Sequence, residues 1–165
     1  MTTLLDLPTP CLLLDLDLLR GNVARMQAAM ARHPGVALRP HMKTAKNAQV
    51  AELAAPGRGP ITVSTLAEAR YFADHGFRDQ LYAVGIAPAK LDAVAALNAA
   101  GNAVKVITDD LDVARAIAAH PGPLEALVEV DVGEARAGLA PEDPALPALA
   151  AALGPRFAGL LSHSG

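Results

Sequence analysis

The chain has 165 residues, 52% of them hydrophobic and 3% aromatic, and its 14 basic and 17 acidic residues give a net charge of −3 at pH 7. This length suits one domain with a sizeable core, and the apolar content excludes a disordered tail. The acidic balance and the lack of an aromatic platform argue against a nucleic-acid partner. Cys11 is the only cysteine, so no disulfide or cysteine-based zinc site can form within the chain.

No run of about 18 apolar residues is present, so we expect no membrane helix. The first residues carry an early acid, Asp6, and lack a basic segment, so we expect no signal peptide. These features predict a cytoplasmic protein without a membrane partner.

Seven apolar runs are typical of strands, and they alternate with alanine-rich helical stretches. The runs are Cys11–Leu16, Ala37–His41, Ile61–Thr65, Gln80–Ile86, Ala103–Thr108, Leu124–Val132 and Phe157–Ser162. Several are almost continuously apolar, which indicates strands covered on both faces. Between them apolar residues recur every three or four positions, which predicts helices with one buried face.

Capping residues mark the ends of the predicted helices. Thr65 and Glu68 have the spacing of a capping box, and Asp109 or Asp110 can cap a helix that begins near Leu111. Glycine favours the left-handed backbone that ends many helices, and it follows three of the helical stretches. These glycines are Gly76, Gly101 and Gly154.

The serial alternation of strands and helices predicts a parallel sheet with helices outside it. The spacing between strands fits either a (β/α) barrel or a doubly wound sheet. A complete eight-unit barrel takes about 250 residues. Six units and the leading strand Cys11–Leu16 are visible here, so we expect either an open sheet or an incomplete barrel of about six of the eight strands.

Three of the predicted strands end in reactive side chains. Lys43 follows the first strand of the array, Arg136 follows the fifth and His163 ends the sixth. Chemistry in parallel α/β folds sits at the carboxyl ends of strands, so we expect these groups at one mouth. Neighbouring cations such as Arg39 and Lys46 would favour an uncharged Lys43 amine, which can form a Schiff base.

Ordinary structural roles for these three side chains remain open as alternatives. Lys43 could be a solvated lysine at a helix start, Arg136 a surface residue and His163 a hydrogen-bonded core histidine. Whether His41 points into the barrel is not decided by its position. Glycine-rich nucleotide loops, zinc-hydrolase histidine motifs and the serine nucleophile elbow are absent, which disfavours those chemistries.

The segment Arg39-Pro40-His41-Met42-Lys43-Thr44-Ala45-Lys46 resembles the pyridoxal-phosphate enzymes of the alanine-racemase-type barrel, fold type III. It is most similar to the D-threonine aldolase and D-serine dehydratase branch. Asp131–Gly138 matches the Asp-x-Gly-x-x-Arg-x-Gly loop of that family, and Phe157–Gly165 resembles the strand whose histidine lies near the cofactor ring. The resemblance covers nearly the whole chain.

The resemblance implies a role for each matching residue. Lys43 corresponds to the catalytic lysine that forms a Schiff base with pyridoxal 5′-phosphate. Arg136 corresponds to the arginine near the pyridoxal phenolate oxygen, and His163 to the histidine against the cofactor ring. His41 and Arg39 match the motif and are expected around the cofactor.

The resemblance also implies a domain organisation. Residues 1–165 would form a truncated N-terminal barrel domain, with its leading strand belonging to a C-terminal β-domain absent from this sequence. That β-domain would hold a divalent metal, zinc or manganese, and this chain would hold none. The complete protein would be a homo-oligomer, a dimer.

The implied activity is that of a lyase acting on small D-β-hydroxy amino acids, with the fragment itself inactive. One alternative is an amino-acid racemase of the same family, which needs a second acid or base such as a tyrosine. Only Tyr71 and Tyr82 are present, and neither has a convincing position. Another alternative is a non-catalytic pyridoxal-phosphate-binding protein or an inactive fragment.

Overall fold

The computed structural model describes residues 3–164. The chain divides into two compact units, Met1–Leu38 and Arg39–Gly165. The first unit contains a short 3-10 turn, Leu4–Asp6, and helix α1, Leu16–Met30. Asp15 caps α1, because its carboxylate accepts the backbone N–H groups of Asp17 and Leu18.

The predicted leading strand Cys11–Leu16 does not form in the described residues. Residues 11–15 pair with no other described segment, and α1 begins at Leu16. Leu12, Leu13 and Leu14 are exposed. An extended segment becomes a strand only through hydrogen bonds to a partner. The partner that the resemblance implies for this segment is a β-domain outside this sequence, so its pairing there stays a prediction.

The second unit alternates helices and strands. Its elements are α2 (Ala48–Ala54), β1 (Ile61–Val63), α3 (Leu66–Asp74), β2 (Asp79–Gly85), α4 (Leu91–Ala99), β3 (Ala103–Thr108), α5 (Leu111–Ala119), β4 (Glu125–Asp131), α6 (Ala145–Leu153) and β5 (Phe157–His163). These five strands match five of the predicted runs to within two residues at each end. None of the helices in residues 3–164 is long and apolar enough to cross a membrane.

The five strands are all parallel and lie side by side in chain order. A right-handed crossover between adjacent parallel strands places its helix on the same face each time. This order therefore builds the wall of a (β/α) barrel, whereas a doubly wound sheet reverses its strand order. The predicted barrel class is confirmed, with five strands in the described residues.

The predicted strand Ala37–His41 is reduced to a single bridge between His41 and Thr62. Within it, the Met42 N–H donates to the Thr62 carbonyl at 2.8 Å and the Thr62 N–H donates to the Pro40 carbonyl at 2.9 Å. The next donor in this register is residue 40, and proline has no N–H. The ladder therefore stops after one pair.

The two faces of the sheet differ in burial. On β1 to β4, the helix-covered face carries side chains that are at most 1% exposed, among them Ile61, Val63, Tyr82, Val104, Val106, Ala126 and Val128. The opposite face, which lines the interior of a barrel, carries the buried Thr62, Ile107 and Glu129 beside the half-buried Leu81 and Leu127. The core thus lies between sheet and helices, and the inner face keeps polar groups.

Helix boundaries follow the predicted caps. The Asp110 carboxylate accepts the N–H groups of Asp112 and Val113 at the start of α5. Thr65 caps α3 by accepting the Glu68 N–H, but the Glu68 carboxylate bonds to Ser64 instead of completing the box at Thr65. Three glycines with positive φ end helices where predicted, namely Gly76, Gly101 and Gly154.

Candidate active site

Arg136 and His163 are hydrogen-bonded to each other at the carboxyl ends of β4 and β5. Arg136 Nη1 lies 3.1 Å from His163 Nε2, and His163 Nδ1 lies 2.9 Å from Glu134 Oε2. His163 ends β5 in register with Asp131 of β4. The loop after β4 therefore brings two side chains, Glu134 and Arg136, onto the histidine of the neighbouring strand.

Carboxylates hold this arginine loop, residues 132–138, by its backbone. The Asp131 carboxylate accepts the N–H groups of Gly133, Glu134 and Ala135. These hydrogen bonds, that from Gly133 first, keep the pKa of Asp131 below its ordinary value. The Asp109 carboxylate accepts the Gly138 N–H at 2.8 Å.

Gly138 brings the end of the loop against β4. It has φ +92°, and a Cβ there would lie 2.7 Å from the Asp131 nitrogen and 2.8 Å from the Val130 carbonyl carbon. The next residue, Leu139, pairs with β4 by exchanging backbone hydrogen bonds with Asp131 and Glu129. The loop consequently has no room for a side chain at position 138.

The arginine loop and the inner face of the sheet border a half-open cavity of about 290 Å³. Its lining residues are Thr62, Leu81, Ala83, Val84, Gly85, Ile107, Glu129, Arg136, Ala137, Leu161, Ser162 and His163. Thr62 of β1 and His163 of β5 would be roughly 19 Å apart on a flat sheet, at about 4.8 Å per strand. Both line one cavity, so the sheet is curved as in a barrel wall.

Glu129 is a buried carboxylic acid in the wall of this cavity, 8% exposed. Burial, and secondarily the Asp109 carboxylate, raises the pKa of Glu129, and the nearby Arg136 and His163 oppose this change without cancelling it. The wall of the cavity thus combines a carboxyl group that resists ionisation with the Arg136 guanidinium and the His163 imidazole.

Lys43 lies beside β1, at the opposite end of the strand order from β5, in the turn that follows the His41–Thr62 bridge. Met42 is buried, 3% exposed, while Lys43 is exposed. The Lys43 N–H donates to His41 Nδ1 at 3.2 Å, and His41 Nε2 lies 3.3 Å from the Ser64 hydroxyl. Burial, then the Lys43 ammonium, holds the pKa of His41 below its ordinary value.

The far end of this turn is held by Lys46. Lys46 has φ +43°, its N–H donates to the Met42 carbonyl, and its ammonium lies 3.3 Å from the carboxylate of Glu68. Burial raises the pKa of Glu68, which is 7% exposed, but the Ser64 N–H and the Lys46 ammonium outweigh burial and leave the pKa below its ordinary value. Backbone and neighbours thus fix the turn, while the Lys43 side chain takes no part.

The chain has four lysines, and three of them have engaged side chains. Lys46 pairs with Glu68, Lys90 donates to the Tyr82 hydroxyl at 2.9 Å, and Lys105 pairs with Glu125 at 3.3 Å. Among the described residues, Lys43 alone of the four has an Nζ without a hydrogen bond or ion pair. Its amine is therefore the one available for a bond to a ligand.

Arg39 does not join this group. Its guanidinium makes two bonds to the Asp79 carboxylate at 2.8 and 3.0 Å and also donates to the carbonyls of Ile61 and Asp79. Ile61 and Asp79 are the first residues of β1 and β2, so Arg39 lies at the amino ends of the strands. Its guanidinium is thus engaged at the amino ends of the strands, while its expected place around a cofactor stays a prediction.

The structure thus brings Arg136 and His163 into contact and places Lys43, with His41 behind it, at the same carboxyl edge of the sheet. In the described residues, Lys43 shares no hydrogen bond or ion pair with Arg136 or His163. Sequence reasoning missed Glu134, Glu129 and Glu68. The only signal in the sequence was the position of Glu134, two residues before the motif arginine. The contacts of all three glutamates reach across the fold, so local sequence does not show them.

A single family model describes almost all of the chain: residues 14–165 match the alanine racemase N-terminal domain. The D-threo-3-hydroxyaspartate dehydratase of Delftia sp. (strain HT23) is 42% identical over 99% of this chain and 45% of its own length. The D-threonine aldolase of Arthrobacter sp. is 35% identical over 95% of this chain and 43% of its own length.

The fold is shared with solved relatives as well. The solved structure of the D-threo-3-hydroxyaspartate dehydratase from Delftia sp. HT23 has a TM-score of 0.91 and 40% identity, over 99% of this chain and 45% of that one. The chain therefore spans less than half the length of the relatives it matches. The chain belongs to the alanine racemase N-terminal domain family.

Proposed function

We propose that this chain is the cofactor-binding barrel part of a pyridoxal-phosphate-dependent lyase acting on D-β-hydroxy amino acids. The observation that carries the proposal is the unengaged Lys43 amine at the same strand edge as the joined pair Arg136 and His163. Under this proposal residues 1–165 form one functional domain of a longer protein, with a β-domain supplied by the remainder.

The residues present fit pyridoxal phosphate in their chemistry. An aldehyde requires an amine, and Lys43 supplies one that no neighbour among residues 3–164 engages. A phenolate oxygen requires a fixed cation, and Arg136 is such a cation in the wall of a cavity of about 290 Å³, near the lower size of small-molecule pockets. The planar imidazole ring of His163 lies beside Arg136.

Each side chain then has a distinct task. Lys43 would hold the cofactor through Nζ, and His41 holds the Lys43 backbone. Arg136 would place a positive charge beside the phenolate oxygen, and His163 orients Arg136. When bound, pyridoxal phosphate supplies an electron sink for the electrons of the broken Cα bond. We leave Arg39 out of the cofactor contacts because its guanidinium is committed to Asp79.

The substrate class rests on the relatives. The names of the Delftia and Arthrobacter enzymes specify D-threo-3-hydroxyaspartate and D-threonine, which share a D-configured Cα and a β-hydroxyl. We propose the same class for the complete protein. An amino-acid racemase remains the second candidate, because the matching domain is named for alanine racemase.

Residues 3–164 contain no group of three His, Cys, Asp or Glu side chains that could hold a metal ion. The divalent metal, zinc or manganese, belongs in our proposal to the remainder of the complete protein. We also propose a cytoplasmic homodimer for that protein. The roles proposed for Lys43, Arg136 and His163 do not depend on the metal, the localisation or the dimer.

The experiment that tests the proposed function is an assay of the complete protein against matched substrates. We expect it to consume D-threo-3-hydroxyaspartate, D-threonine or D-serine in the presence of pyridoxal phosphate, and to leave the L-enantiomers unchanged. Lys43→Ala and Lys43→Arg should both lose activity, since Arg keeps the charge but not the nucleophilic amine. Interconversion of L- and D-alanine without lyase activity would favour the racemase.

A further inference from the structure

The arginine loop contains a glutamate that the sequence motif does not specify. Glu134 stands between Gly133 and Ala135, and the N–H groups of all three residues are held by the Asp131 carboxylate. This grip fixes the backbone from which the Glu134 side chain extends. Its carboxylate reaches His163 Nδ1 at 2.9 Å, and the Glu134 side chain is 32% exposed.

The two hydrogen bonds of His163 determine where its proton sits. A carboxylate only accepts, so Nδ1 must carry the proton that is shared with Glu134. A guanidinium only donates, so Nε2 must present its lone pair to Arg136 Nη1 at 3.1 Å. Both contacts can form together only for a neutral imidazole protonated on Nδ1.

From this geometry we infer that Glu134 is a positioning residue, which holds His163 as the Nδ1–H tautomer so that Nε2 can accept from Arg136. As a statement about catalysis, the inference rests on the proposed function. As a statement about the His163 proton, it holds for the protein alone. One consequence is that His163 cannot serve as an acid at Nε2 while it is bonded to Arg136.

The other charged groups near His163 do not supply this effect. Asp131, its register partner on β4, directs its carboxylate to three loop N–H groups. Glu129 on β4 faces the same cavity but has a raised pKa, owing to burial and to Asp109 at the end of β3. Arg136 can only donate. Glu134 is therefore the carboxylate that selects the tautomer.

The test is a long-range ¹H–¹⁵N correlation spectrum of the imidazole rings, recorded on the chain without added cofactor. The His163 resonances are identified by their loss in His163→Gln. We expect a protonated Nδ1 and an unprotonated Nε2 in the parent protein. Glu134→Ala should shift Nε2 towards the protonated position, whereas Glu134→Gln, whose amide oxygen still accepts, should keep the parent pattern.

Glu142→Ala, a change of an exposed glutamate in the loop before α6, is the matched control and should leave the pattern unchanged. Far-ultraviolet circular dichroism establishes that each variant is folded. An unchanged His163 pattern in folded Glu134→Ala, or a protonated Nε2 in the parent protein, would overturn the inference.

A titration of the complete protein with pyridoxal phosphate separates the inference from the proposed function. We expect Glu134→Ala to weaken binding several-fold and Glu134→Gln to restore it. If the tautomer responds as expected but the parent protein binds no pyridoxal phosphate, the proposed function fails and the assignment of the proton stands. If the cofactor binds but the tautomer does not respond, the inference alone fails.

Discussion

Glu68 and Glu129 are buried to nearly the same extent, 7% and 8% exposed, yet their pKa values move in opposite directions. Burial raises the pKa of both. Glu68 accepts the Ser64 N–H at 2.8 Å and faces the Lys46 ammonium, so its charged form is compensated. Glu129 faces a cavity, with Asp109 nearby, and keeps a raised pKa.

The two glutamates belong to two differently built parts of the carboxyl edge of the sheet. Beneath the Lys43 turn, a charged glutamate holds the backbone and leaves the lysine amine free. Beneath the arginine loop, a glutamate that resists ionisation borders a cavity whose wall contains Arg136 joined to His163. Lys43 is thus held through its backbone, whereas Arg136 is held through its side chain.

The largest change in folding stability should come from adding a side chain to the arginine loop. Gly138→Ala places a Cβ within 2.7 Å of backbone atoms at φ +92°. We expect it to lower the free energy of unfolding by about 2–4 kcal/mol through strain and overlap. Urea unfolding measures this change.

Gly133→Ala is the matched control for that substitution. Gly133 has φ +112°, but a Cβ there meets nothing within 4 Å among the described residues. It should cost the backbone strain alone, about 1–2 kcal/mol less than Gly138→Ala. Equal losses for the two variants would show that the loop is not packed against β4 as described.

Glu68→Gln should lower the free energy of unfolding by disturbing the contacts beneath the Lys43 turn. The amide keeps an acceptor for Ser64 but loses the charge, so we expect a loss of about 1–2 kcal/mol at pH 7. The pKa of Glu68 is lower in the folded protein than its ordinary value of 4.5. Its stabilisation is therefore present above that value and is lost as the pH falls through the folded pKa.

Urea unfolding between pH 3 and pH 7 checks this prediction. The difference between parent protein and Glu68→Gln should shrink steadily below pH 4.5. A difference that stays constant across this range would mean that the Glu68 charge does not stabilise the fold.

Glu129→Gln should have the opposite sign. The pKa of Glu129 is raised in the folded protein, so its ionisation costs stability as the pH rises through the unfolded and then the folded pKa. Removing the charge should raise the free energy of unfolding at pH 7 by on the order of 1 kcal/mol. A lower unfolding midpoint for Glu129→Gln at pH 7 would contradict the contrast between the two glutamates.

Much of the fold was accessible from local patterns. Apolar runs and caps such as Asp110 act over a few residues, so they located five strands and most helix ends. The strand expected over Ala37–His41 failed because Pro40 removes one ladder donor. The leading run Cys11–Leu16 forms no strand in the described residues, because a strand requires a partner and local sequence does not specify one.

The candidate site was only partly accessible, for a related reason. Position at strand ends predicted that Arg136 and His163 share an edge, since parallel strands align their carboxyl ends. The ion pair of Arg39 was not predicted, because its partner, Asp79, is 40 residues away in sequence. The positioning role of Glu134 was missed because it depends on the register between β4 and β5.

The central claim is that Lys43 is the lysine that binds pyridoxal phosphate, and one measurement tests it directly. The complete protein is incubated with pyridoxal phosphate, reduced with borohydride, digested and analysed by mass spectrometry. We expect the pyridoxyl group on Lys43, with Lys46, Lys90 and Lys105 unmodified, and no stoichiometric label in Lys43→Ala. A stoichiometric label on any other lysine, or one that persists in Lys43→Ala, would contradict the account.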